Sequence, residues 1–199
     1  MIQKPNQRQS MVQHGYAADP DPIYDTMIFA HGTSQQTMFA AAVNSSAGKT
    51  LDITNMRDNG KLPTGQSLAT NEIQTYITMP TALGTASIAL LHTILASTTV
   101  EFVKENKAPS FTRTLQMMLG ASLLIPVTPT TAGDNIAIAQ PTYSGKIKVH
   151  GRALWLGQNE TFFVRITHQN ATYLAAATAL DGLLIKIVFD GPRSKKLTA

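Results

Sequence analysis

The pentapeptide Ser46-Ala47-Gly48-Lys49-Thr50 is the segment whose residue types come nearest to a known chemistry. A phosphate-cradling loop reads G-x-x-x-x-G-K-[ST], with glycines that let backbone N–H groups face the phosphates. Here Val43 stands at the first glycine position, and a β-branched residue does not readily take the required backbone shape. A helix should follow Thr50, yet Leu51-Asp52-Ile53-Thr54-Asn55-Met56 alternates as a strand would, so a hairpin turn is the expected role of this segment. The five histidines, His14, His31, His92, His150 and His168, show no H-x-H, H-x-x-H or H-E-x-x-H spacing. A metal would need them to converge in space. There is no G-x-S-x-G elbow and no cysteine to act as a nucleophile. Asp19, Asp21 and Asp25 are the densest carboxylates, and beside prolines they read as a solvated acidic segment. Glu101 and Glu105 stand near Lys104 and Lys107 as a wet sheet face would place them.

Three stretches match the N-x-[ST] glycosylation pattern: Asn44-Ser45-Ser46, Asn159-Glu160-Thr161 and Asn170-Ala171-Thr172. In a chain rich in Asn, Ser and Thr, and with no apolar leader in residues 1–22, chance accounts for them. The single tryptophan, Trp155, lies between Leu154 and Leu156. A core or subunit-contact role outweighs ligand stacking for it. These residues yield no catalytic, cofactor-binding or metal-ligating set, and the expectation is a protein that is not an enzyme and has no cofactor and no small-molecule substrate.

The elements around these residues read mainly as strands. Thr26–Ala30, Gln36–Val43, Lys49–Met56, Glu72–Met79, Thr98–Lys104, Gly145–His150, Ala153–Leu156, Thr161–His168 and Leu183–Phe189 are alternating or β-branched runs. Arg57-Asp58-Asn59-Gly60 is a turn signal, and Asp190-Gly191-Pro192 closes the last run. Ser87–Ala96 carries Ile88, Leu91 and Leu95 at helical spacing and predicts a short helix. Thr114–Val127 suits either type, and Pro126, Pro129 and Gly133 mark a long loop. The window Ala82–Val100 has the length of a membrane span, but His92 and many Ser and Thr argue against that role. Short strands, turns every 8–12 residues and no βαβ alternation predict an all-β antiparallel sandwich or barrel.

The chain of 199 residues suffices for one domain and an arm. Residues 1–22 read as a flexible N-terminal arm, 23–192 as the β-sandwich and 193–199 as a basic C-terminal tail. Charged residues are 14% of the chain, against about 25% in ordinary soluble domains. A polar but weakly charged surface suits a subunit covered by its neighbours. Much of the net charge of +4 sits at the ends, in Lys4, Arg8, Arg193, Lys195 and Lys196. These termini allow weak contact with packaged nucleic acid or an underlying membrane, without the basic stripe of a dedicated nucleic-acid binder.

Leu51-Asp52-Ile53-Thr54-Asn55-Met56, then Gly60-Lys61-Leu62-Pro63 and Gly65-Gln66, resemble a pattern in the small jelly-roll capsid proteins of tailless icosahedral phages. Leu156-Gly157-Gln158-Asn159-Glu160-Thr161-Phe162-Phe163-Val164 and Leu184-Ile185-Lys186-Ile187-Val188-Phe189-Asp190-Gly191 resemble the closing strands of the same proteins. The segments cover about a third of the chain, and 81–141 matches nothing in the pattern. The resemblance implies a single jelly roll of about eight strands in two sheets, with one or two short helices. It implies a virion location and a structural role exerted through contact with copies of itself and other virion proteins, and it carries over no catalytic residue. Two other classes fit the β pattern: a carbohydrate- or receptor-binding sandwich, and a cupin-like metalloprotein.

Overall fold

The computed structural model describes residues 16–19, 21–45, 48–79, 83, 85–105, 107–120, 142–149 and 154–196. Expectations for the rest of the arm, for Ser46 and Ala47, for the loop marked by Pro126, Pro129 and Gly133, for His14 and His150, and for residues 197–199 lie outside the described residues.

The chain is mostly β, with three antiparallel four-stranded sheets among the described residues. The strands are β1 (Tyr16–Asp19), β2 (Ile23–Ile28), β3 (Gln35–Met38), β4 (Gln66–Thr70), β5 (Glu72–Thr78), β6 (Thr98–Lys104), β7 (Phe111–Thr114), β8 (Thr142–Lys148), β9 (Leu154–Leu156), β10 (Phe162–His168), β11 (Leu184–Asp190) and β12 (Arg193–Lys196). The helices are α1 (Thr85–Ala96), α2 (Leu115–Leu119) and α3 (Ala171–Ala176), the last running into a 3-10 turn, Ala177–Leu180. The sheet orders are β2-β11-β5-β8, β3-β10-β6-β7 and β1-β12-β4-β9.

The first two sheets bury alternate residues against each other, as period-two side chains must. From the first come Ile23, Met27, Ile73, Ile77, Ile185, Ile187 and Phe189; from the second come Met38, Val100, Phe102, Phe162, Val164 and Ile166. Four rings close the centre. Phe189 meets Phe39 at 4.9 Å and Phe102 at 5.5 Å, and Phe162 meets Phe39 at 5.7 Å and Phe102 at 5.9 Å. Offset and edge-on rings at such spacings add about 0.5–1.5 kcal/mol per pair to their burial. The pairings form one long antiparallel ribbon folded back on itself. β6 with β7 is its tip, and β5 with β8, β3 with β10 and β2 with β11 follow outward.

The third sheet is where the expected two-sheet plan needs correcting. Its order, β1-β12-β4-β9, repeats β2-β11-β5-β8 strand for strand, because each member continues a neighbour in sequence. The sheet bends where Pro22, Asn71 and Gly191-Pro192 interrupt the strands. The ladder is carried over the bend by Asn71 N–H to the Asp190 carbonyl (3.0 Å), Ala69 N–H to the Pro192 carbonyl (3.1 Å) and Val149 N–H to the Asn71 carbonyl (2.9 Å). A Cβ on Gly191 would overlap the Ala69 carbonyl oxygen, so the backbones approach this closely only through glycine. Consequently 16–19, assigned from sequence to the arm, and 193–196, assigned to the tail, are strands paired with each other from Tyr16↔Lys196 to Asp19↔Arg193.

Two further expectations change. Lys49–Met56 is not a strand: Ile53 and Thr54 donate back to the Thr50 carbonyl, making a turn with Leu51 exposed on its outside. Three α-helices form among the described residues rather than one or two. The extra ones are short and rest on their caps: Thr114 accepts from Met117 N–H at 3.2 Å for α2, and Asn170 from Tyr173 N–H at 3.2 Å for α3. α1 buries Ile88, Leu91, Ile94 and Leu95, and its last carbonyls accept from the hydroxyls of Ser97 (2.9 Å) and Thr98 (2.6 Å). α1 packs against α2, α3 and the 3-10 turn at the sandwich end where β2–β3, β5–β6, β7–β8 and β10–β11 are connected.

α2 lies directly on Gly145 of β8, where a Cβ would overlap the Met118 carbonyl oxygen and Leu119 Cα. Gly145→Ala should therefore cost about 1–3 kcal/mol, the usual penalty of overfilling a packed contact. Urea denaturation measures it; a variant as stable as the wild type would show that α2 is not seated there.

Candidate functional site

Lys49 is the lysine of the P-loop-like segment, and the fold commits it elsewhere. Its Nζ lies 2.6 Å from both carboxylate oxygens of Asp25, a residue with no solvent exposure. Asp25 also accepts from Thr26 N–H at 3.0 Å and Phe39 N–H at 2.5 Å. Phe39 has a left-handed backbone, φ 64°, and the carboxylate holds it there while its ring enters the four-ring core. Asp25 is thus a correction to the solvated acidic segment: its inward place in β2, between Ile23 and Met27, buries it. The alternation of β2 carried that signal, and the neighbouring prolines masked it. The remaining acidic pairs are surface features. Glu101 sits 3.5 Å from Arg165, and Glu105 2.5 Å from Lys107.

The described histidines do not meet. His31 pairs with Asp181 at 2.5 Å, tying the β2–β3 connection to the turn before β11. His92 stacks edge-on near Tyr143, with ring centres 6.3 Å apart. His168 is buried against Phe29, and its Nδ1 lies 2.7 Å from the Thr98 hydroxyl. Among the described residues no group of three His, Cys, Asp or Glu side chains is placed to hold a metal, and no helix is long and apolar enough to cross a membrane. The glycosylation-like asparagines have local roles in the fold. Asn44 and Asn159 take left-handed turn conformations, φ 58° and 64°, and Asn170 caps α3.

Trp155 is not in the core: it is 51% exposed on β9, paired with Ala69. Its strand edge is closed by Lys104, whose Nζ donates to the Trp155 carbonyl at 3.2 Å and pairs with Glu160 at 2.5 Å. Lys104 itself belongs to the interior strand β6, and its ammonium occupies a carbonyl on the edge of β9.

Among the described residues, three of the exposed large hydrophobic side chains, Ile28, Tyr76 and Leu184, lie on the outer face of β2-β11-β5-β8. Register places its outward residues in rows across the sheet. The row nearest the helices holds Ile28, Leu184 and Thr78; the next holds Thr26, Lys186, Tyr76 and Ser144. Then come Tyr24, Val188, Gln74 and Lys146, and last Asp190, Glu72 and Lys148. Ile28, Leu184 and Tyr76 are all large exposed apolar groups, and Leu51 joins them at the edge, where Tyr24 Oη donates to its carbonyl. Lys146 pairs with Glu72 at 2.6 Å and holds that carboxyl below its ordinary pKa. The cleft over Gln74, Tyr76, Ser144 and Lys146 is shallow and open. Such a face offers contact area and lacks the enclosed, convergent groups of a catalytic pocket.

No protein-family model, curated protein or solved structure matches the chain.

Proposed function

We propose that this chain is a jelly-roll structural subunit of an icosahedral viral shell, of the kind found in tailless phages, acting by self-association and without catalysis. The observation that carries the reading is strand order. Counting the eight sandwich strands in chain order and leaving out the four of the third sheet, the two sheets read 1-8-3-6 and 2-7-4-5. A ribbon rolled in this way supports a jelly-roll arrangement, which is common to viral capsid domains and also found in lectins and cupins. Fold alone does not give function. The shell reading draws its further support from the low charge density, from the exposed apolar sheet face and from the sequence resemblance to phage capsid proteins.

The test is co-sedimentation and electron microscopy of the native source, together with sedimentation of the purified chain. The chain is expected in particle fractions, and the purified protein is expected to associate as concentration rises. A monodisperse monomer at all concentrations and salt conditions, absent from particles, would overturn the reading. The half-exposed Trp155 favours one second reading, a carbohydrate-binding sandwich, for which a glycan array with Trp155→Ala as control is decisive.

A further inference from the structure

Ile28 and Leu184 stand directly opposite each other on β2 and β11, 56% and 37% exposed. A lysine stem next to such a pair would ordinarily lie over it. Lys186, one row below, leans the other way: its Nζ sits 4.0 Å from the centre of the Tyr24 ring, a row further from Ile28. Among the described residues this cross-strand apolar pair is thus left exposed while the Lys186 stem is committed elsewhere.

The charges on the same face decide among occupants. Lys146, Lys148 and Lys186 are matched by Asp190, Glu72 and, at the edge, Asp52, which lies within electrostatic reach of Lys186. A polyanion such as nucleic acid or an acidic bilayer needs a surplus of positive charge, and the described residues of this face show none. A second copy of the same face is equally balanced, so no net charge opposes its approach and the apolar pair can meet its own copy. We propose that Ile28 and Leu184 form the centre of an isologous contact with a second copy of this chain, with a two-fold axis beside them and the charged rows diverging on either side. This rests on the self-association reading and names the surface that performs it.

The chain has no cysteine, so Ile28→Cys creates a unique reactive position. Treated with a short bis-maleimide, Ile28→Cys is expected to form covalent dimers at least tenfold faster than Thr112→Cys, an exposed control on β7. Leu184→Glu is expected to raise the concentration of half-association at least tenfold with unchanged circular dichroism and melting. Equal cross-linking of the two cysteine variants overturns the proposal even if Leu184→Glu fails to fold. If the wild type associates and folded Leu184→Glu associates equally well, this surface is wrong and the shell reading stands. A wild type that never associates defeats both. Protection of the thiol of Ile28→Cys by single-stranded DNA or anionic vesicles, with no dimer formed, would show a different occupant and also overturn it.

Discussion

Replacing Asp25 with alanine should lower the stability of the folded chain by about 3–5 kcal/mol, the usual cost of removing one partner from a buried ion pair. The side chain satisfies three groups at once: the Lys49 ammonium and the N–H groups of Thr26 and Phe39. Lys49 retains some solvent access, with 18% of its side chain exposed, so part of its charge can escape to water. The Phe39 N–H is buried and has no such escape, and a buried orphan donor costs about 1–3 kcal/mol by itself. Phe39 also holds a left-handed backbone, which disfavours a non-glycine residue by about 1–2 kcal/mol. Without the carboxylate nothing offsets that strain, and the ring between Phe162 and Phe189 loses its anchor. Asp25→Asn keeps one acceptor oxygen but forfeits the charge, and should fall between alanine and wild type. Urea denaturation of the three proteins at pH 7 checks the order. An alanine variant within about 0.5 kcal/mol of wild type, the range of a neutral surface change, would show that Asp25 does not organise this corner.

The same residue marks where sequence reading reaches its limit. Strands such as β6, β10 and β11 were legible because each is paired on both sides and rich in β-branched and aromatic residues, with one face buried; β10 alternates cleanly, and β6 and β11 are apolar runs with a single charge inside. Asp25 obeys that alternation too, but its partner Lys49 is 24 residues away in a segment whose own alternation is misleading. Leu51-Asp52-Ile53 repeats like a strand and folds as a turn. β1, β4 and β12 were not legible. They are short, made largely of small or polar residues, and exist because the ribbon of β2, β11 and β5 extends past Pro22, Gly191-Pro192 and Asn71. Breakers that end a strand in isolation only bend it when its neighbour is bent at the same level. The exposed row of Ile28 and Leu184 was invisible for another reason. It depends on register across strands 156 positions apart, and no local pattern records which residues stand opposite.

Acid should weaken the fold in a specific window, through His168. Thr98 donates its hydroxyl to the Ile94 carbonyl and therefore accepts from His168 Nδ1–H, which leaves Nε2 as the bare, unpartnered nitrogen. The ring is 4% exposed, against Phe29. Burial disfavours the imidazolium and pushes the pKa down to about 4, from an ordinary 6.5. Below pH 6.5 the unfolded chain takes up a proton that the folded chain refuses. Stability is complete above that value, falls as the pH drops, and levels off once the folded state also protonates, near pH 4. By linkage the loss is about 2 kcal/mol at pH 5 and about 3 kcal/mol at pH 4. The carboxylates held low by partners, Glu72 beneath Lys146 and Asp181 beneath the His31 backbone and ring, add their own losses only at lower pH. The interval from pH 6.5 to 5 therefore lies above the carboxylates, and the His168→Gln comparison separates His168 from the other histidines. His168→Gln, which keeps a donor for Thr98 and cannot charge, should be less stable than wild type at pH 7 and nearly flat across this interval. The two stabilities converge as the wild type falls. Urea midpoints at pH 7, 6 and 5 for both proteins decide it, because equal slopes would place the acid sensitivity elsewhere. The expected site of failure is the sandwich end where His168 supports the start of β6 under α1, so hydrogen exchange at pH 5 should quicken first in α1 and the β2–β3 connection, before the four-ring core is touched.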